Sequence, residues 1–202
     1  MHADVRTATI PQLIPLVEQL SSQVEAQLRG LSAAQLNWKP NPAEWSLGQC
    51  LDHLITANTS YFGPLERLLA GQHVTTFWER LPLAPALFGR LLIYSLHPNQ
   101  RRRVRTARVF EPTQSAVDQQ ILPAFAQQQR RLVELMRACA GLDAGRVIIT
   151  SPALSFVTYS LLDAFRIIVI HEQHHLVQTA KILGLPEFPG GRGQGEALNA
   201  ER

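Results

Sequence analysis

His171 and His175 stand four residues apart in the run His171-Glu172-Gln173-His174-His175, inside the apolar-rich segment 164–183. On an α-helix two such side chains share a face, one turn apart. Neutral imidazoles in that relation can bind a divalent transition ion, and a third ligand from another element would complete a site with open positions for water or substrate. At about 100° per residue, Ser160, Ala164, Ile167, His171, His175, Gln178 and Ile182 cluster within roughly 40° of one direction. Glu172 points about 100° away from the dyad, and His174 lies about 60° off it. His174 is therefore a neighbour of the site, an alternative ligand or a solvated side chain. For the dyad taken alone, a solvated polar face is the alternative to a metal site.

The same five residues read as H-E-x-x-H, the pattern of zinc proteases in which the Glu serves as general base. One extended form of that pattern fails here, and the other finds poor support. Gln178 and Lys181 stand where one branch requires Gly and His, and the other branch needs a downstream Glu on a firm helix. Glu187 and Glu196 are the nearby candidates, in or beside a stretch, 186–195, rich in glycine and proline.

A third imidazole must come from elsewhere. Of His2, His53, His73 and His97, only His53 sits in the middle of a helical pattern, Cys50-Leu51-Asp52-His53-Leu54-Ile55. A lone histidine on a half-apolar helix is commonly a hydrogen-bonded core residue; opposite a dyad on a neighbouring helix it becomes the leading candidate ligand.

The elements that would position these side chains read as helices. Ile10, Leu13, Leu16, Val17, Leu20, Val24 and Leu28 recur at helical spacing before Gly30, predicting a helix over 11–29. Ser46 and Gln49 form a capping box for a second helix reaching Leu69, with Gly63-Pro64 as a kink. A short apolar helix is expected between Pro85 and Leu96, as an excursion before the next long helix. That third long helix is predicted over 113–140, bent near Pro123, and a fourth over 159–183. The segment 147–154 reads as a connector. Four long helices with almost no alternating strand pattern predict an all-α bundle, a single domain over 1–189 and a flexible tail over 190–202.

Composition narrows the function classes. A chain of 202 residues with 46% hydrophobic side chains can bury one sizeable core. Nineteen basic against sixteen acidic residues leave a net charge of +3, too little excess to argue for gripping nucleic acid. No apolar run suits a bilayer and the N-terminus shows no signal core, so a cytoplasmic protein without membrane partners is expected. Cys50 and Cys139 have no disulfide or metal-finger spacing and read as reduced thiols; Cys50, near His53, is also a candidate pocket residue, as is Gln178. Arg101, Arg102, Arg103, Arg105 and Arg108 form a local basic run. It is a solvated connector or an anion-binding patch, with Arg103 and Arg105 as the anion-binding candidates.

Two motifs together resemble a known family. Glu44-Trp45-Ser46-Leu47-Gly48-Gln49-Cys50-Leu51-Asp52-His53-Leu54 looks like the second-helix signature of the DinB-like superfamily, and His171-x-x-His174-His175-x-x-Gln178 resembles its closing motif. The segments 103–112 and 152–162 are similar to its connectors and fall in the right order. The resemblance implies a four-helix bundle of up-down-down-up topology with a divalent metal held by His53, His171 and His175, water filling the remaining positions. Zinc or nickel comes first among the ions, then iron or manganese. It further implies a homodimer and a small-molecule substrate, with low-molecular-weight thiol transfer onto an electrophile as the leading chemistry. Metal-dependent hydrolysis and a non-catalytic metal-binding or dimerisation bundle are the alternatives. The long segment between Gly71 and Gln100 departs from the family pattern and reads as a lid or a dimer surface.

Overall fold

The computed structural model describes residues 4–96, 107–113 and 116–190. Seven α-helices and one short hairpin make up its regular structure: α1 (Ile10–Leu28), α2 (Ala33–Asn37), α3 (Leu47–Thr59), α4 (Phe62–Leu69), α5 (Ala84–Ser95), α6 (Ile121–Cys139), β1 (Ile148–Thr150), β2 (Thr158–Ser160) and α7 (Leu161–Leu183). The protein is mostly helical, as the periodicity requires.

α1 buries the expected stripe, Ile10, Leu13, Val17, Leu20, Val24 and Leu28. It packs on α6 and α7, while α3 packs on the same two helices. One apolar cluster fills the space among α1, α6 and α7 around Leu13, Leu132, Met136 and Phe165; a second joins the C-terminal half of α1 to α3 and the start of α6 around Leu28, Leu51 and Phe125. At the start of α3 the capping box forms as read. Ser46 Oγ accepts from the Gln49 N–H (3.2 Å), and Gln49 Oε1 accepts from the Ser46 N–H (3.3 Å).

Three boundaries differ from the sequence reading, each for a local reason. The second helix is not one kinked rod to Leu69. α3 ends at Thr59 and α4 restarts at Phe62, with Pro64 in its first turn. Proline lacks an N–H and its ring clashes with the carbonyl four residues back, so the break falls at Ser60 and Tyr61. Pro123 likewise opens α6 instead of bending it. The preceding residues, predicted helical from 113, are engaged elsewhere: Asp52 accepts from the Thr113 N–H (2.5 Å) and hydroxyl (2.9 Å). Asn37 bonds both backbone groups of Val117, donating to its carbonyl (2.6 Å) and accepting from its N–H (2.8 Å). The connector before α7 is a hairpin, pairing Ile148 with Ser160, Ile149 with Tyr159 and Thr150 with Thr158 antiparallel. Strands of three residues are too short for an alternating pattern to register. Ser160 then caps α7, accepting from the Asp163 N–H (3.0 Å). Among the described residues no helix is long and apolar enough to cross a membrane.

Candidate metal centre

α3 supplies His53, and α7 supplies His171 and His175 a turn apart. Since α3 and α7 pack together, the three imidazoles meet in the interior. Their ligating nitrogens all lie within 4.8 Å of one another. His171 Nε2 is 3.0 Å from His53 Nε2 and 3.1 Å from His175 Nε2. His53 and His175 are buried, and His171 is the most accessible of the three. No other group of three or more His, Cys, Asp or Glu side chains meets the geometry of a metal site among the described residues.

The orientation of His53 is set by a backbone group. Its Nδ1 donates to the Phe110 carbonyl (2.5 Å). A carbonyl only accepts, so the proton sits on Nδ1 and the Nε2 lone pair is left facing the other histidines. This is the outer bond that metal-ligating histidines ordinarily make. Trp45 closes one side: its ring centroid is 4.9 Å from that of His53, and it stacks on His175 at 6.1 Å with an interplanar angle of 11°.

Electrostatics keep the cluster neutral. Burial lowers the His53 pKa, against the opposing Phe110 bond and the Asp52 charge. Burial also takes His171 down to about 3, helped by repulsion from His53 and His174. His175 falls well below the ordinary imidazole value from burial and the same kind of repulsion, with the nearby Gln178 amide working weakly the other way. Neutral imidazole is the ligand form.

The donor set fits a divalent transition ion. Two nitrogens, each about 2.1 Å from a common ion, stand roughly 3.0–3.4 Å apart at octahedral to tetrahedral angles, and the two measured separations fall in that range. A single N–H on His171 can face only one of its two neighbours; a cation satisfies all three lone pairs.

The sequence profile of a family described as the DinB superfamily matches residues 16–179. The chain belongs to the DinB superfamily. No curated protein and no solved structure matches it. The matched span runs from within α1 to near the end of α7 and contains all three histidines of the cluster.

The remaining candidates of this DinB-superfamily chain differ in how they stand to the cluster. His174 lies beside it, its ring 5.5 Å from that of His175 and nearly perpendicular; its Nδ1 is buried without a hydrogen-bond partner. Cys50 is a buried thiol, not one of the three converging ligands, and burial pushes its pKa up to about 12. Arg103 and Arg105 lie outside the described residues, as do His2 and His97. His73 Nε2 donates to the Glu79 carboxylate (3.1 Å), away from the cluster.

Glu172 occupies the position of the general base in the H-E-x-x-H pattern, but it is committed to a different task here. It is 2% exposed, and its Oε1 accepts from the side-chain amides of Asn58 (2.7 Å) and Gln129 (2.5 Å), tying α7 to α3 and α6. Burial pushes its pKa up to about 7, against those two hydrogen bonds. Glu187 is exposed and takes no part in the cluster. Glu196 lies outside the described residues, and among those described the protease arrangement is not built.

Sequence reasoning missed four participants. Phe110 acts through its carbonyl, which no side-chain pattern can reveal. Trp45 was visible as the residue before the Ser46 cap but had no assigned role. Asn58 and Gln129 carry no motif, and only burial of Glu172 calls for them. Trp45 also lines a cavity of about 400 Å³ with Lys39, Glu44, Gln49, Glu111 and Pro112.

Proposed function

We propose that this DinB-superfamily chain is a metal-dependent enzyme whose ion is held by His53, His171 and His175, and that it transfers a low-molecular-weight thiol to a small electrophile. The observation that carries the reading is the convergence of three neutral imidazoles, one of them oriented by the Phe110 carbonyl. When bound, such an ion lowers the pKa of a thiol or of water and so supplies a nucleophile at neutral pH.

The chain's own residues favour the thiol. Hydrolysis at an H-E-x-x-H site uses the glutamate as base, and Glu172 is held by Asn58 and Gln129. Asp52, the other carboxylate near His53, is bonded to Thr113. Trp45 shields the histidines on one side and offers an apolar wall to a substrate in the adjoining cavity, where Lys39 provides a cation. Zinc or nickel suits the all-imidazole donor set best. On the same reading α1, α3, α6 and α7 form the up-down-down-up bundle of the superfamily, and the chain works in the cytoplasm as a homodimer.

Elemental mass spectrometry on untagged protein tests the first step. Close to one ion per chain is expected in the wild type, with loss in His171→Ala; no ion after reconstitution would overturn the metal reading. Metal-loaded protein is then expected to conjugate cysteine-type thiols to a chromogenic electrophile. Stoichiometric metal without turnover, combined with a large loss of stability on chelation, would favour a metal-stabilised scaffold instead.

A further inference from the structure

The excursion between α4 and α6 leaves a broad apolar surface. α5 turns Pro85, Gly89 and Ile93 inward, packing on β2 and α7, and presents Leu83, Leu87, Leu91 and Tyr94 outward with 84%, 66%, 57% and 67% of each exposed. Spaced four, four and three residues apart, they form one stripe along the helix, about 16 Å long. Phe77 and Trp78 extend it, their rings in edge-on contact at 5.4 Å, and Trp78 meets Phe156 at 6.3 Å. At these fractional exposures the six residues expose on the order of 700 Å² between them, above the usual largest apolar patch of a monomer and close to what each partner contributes to a standard interface.

Two further observations give the patch the character of a protein interface. Between Gly71 and Leu96 the charged residues are Glu79, Arg80 and Arg90. Glu79 is buried, accepting from the Thr76 N–H and the Thr150 hydroxyl, so the exposed charge is arginine alone. Aromatic residues and arginine without lysine, aspartate or glutamate is the composition enriched at interface cores. Leu83, moreover, holds a φ of 69°, the only positive value on a non-glycine residue among those described. A Cβ disfavours that region, and here the strained residue projects its side chain into solvent.

We propose that this face joins two copies of the chain, α5 packing antiparallel on its own copy across a two-fold axis. The stripe is self-complementary in that arrangement: Leu87 meets Leu91 of the partner subunit, and Leu83 meets Tyr94 of the partner subunit. The proposal rests on the two-copy reading above and is independent of the metal, since no residue of the stripe belongs to the histidine cluster.

Sedimentation velocity on the full-length chain tests it. The wild type is expected to sediment as a dimer near 10 µM, and Leu87→Glu with Leu91→Glu as a monomer of unchanged circular dichroism, the dissociation constant rising on the order of 100-fold. Leu83→Gly, which relieves the backbone strain and so does not threaten folding, is expected to weaken the dimer about tenfold. A wild type that stays monomeric at 100 µM overturns the proposal. A dimer that survives the double substitution overturns this surface while leaving the two-copy reading intact. Monomeric protein that cosediments with phosphatidylglycerol vesicles reassigns the face to a lipid surface.

Discussion

At the scale of single residues, the site depends on which groups are left to face the three imidazoles. Glu172 is a structural acceptor, and its removal takes the acceptor from the buried Asn58 amide and one of the two acceptors from Gln129, which also donates to Gln128. Glu172→Ala should therefore cost about 1–3 kcal/mol in urea unfolding while metal content per folded chain stays at the wild-type level; loss of the ion would instead make Glu172 part of the centre. The histidines also set a pH dependence. Their folded pKa values lie below the unfolded value, so the unfolded chain binds more protons on the acid side, and stability is lost as pH falls from about 6.5 toward the folded value of about 3 for His171. Glu172 acts oppositely: with its pKa raised to about 7, it adds stability as pH falls from there to about 4.5. Three imidazoles outweigh one carboxyl, and below pH 4.5 the glutamate contributes no further change. Thermal melts of the chelated protein should fall with decreasing pH, and His171→Ala should flatten that slope.

At the scale of elements, close approach decides what the helices can position. Gly48 lies inside α3, where alanine would ordinarily stabilise by about 1 kcal/mol. A Cβ there would stand 2.0 Å from Val117 Cγ2 and 3.2 Å from the Leu36 carbonyl oxygen. Gly48→Ala should thus destabilise by about 1–3 kcal/mol in denaturant unfolding, and a stabilised variant would mean that the 116–120 segment moves freely. The contact matters because this connection also carries Phe110, whose carbonyl orients His53. Gly89 does the same for α5, where a Cβ would come within 2.7 Å of Asp163 on α7. Helix boundaries were the least legible feature at this scale. Thr113 to Gln120 has acceptable helical composition, yet its backbone groups bond to Asp52 and Asn37, partners some 60 and 80 residues away.

At the scale of the whole molecule, a bound ion ties α3 to α7 across the packed core, so chelation should lower the melting temperature of the wild type. His53→Ala, which keeps the helices but lacks a ligand, should show no chelator shift; differential scanning calorimetry with and without chelator checks this. An equal shift in both would place the stabilising ion elsewhere.

His53 was legible as a candidate partner of the histidine pair through its mid-helix place and the resemblance of its motif to the family's. Sequence alone determined the helical class, the stripe of α1, the Ser46 cap and the turn-apart pair His171 and His175. These follow from rules of short range: helical periodicity, capping and i, i+4 adjacency depend on neighbours a few residues away. The tertiary structure decided which way Glu172 faces, where α6 begins, that residues 148–160 pair as a hairpin, and that the Phe110 carbonyl fixes the tautomer of His53. Each of those turns on a hydrogen-bonding group whose partner is distant in the chain or belongs to the backbone, and a backbone carbonyl is the same in every residue until the fold aims it.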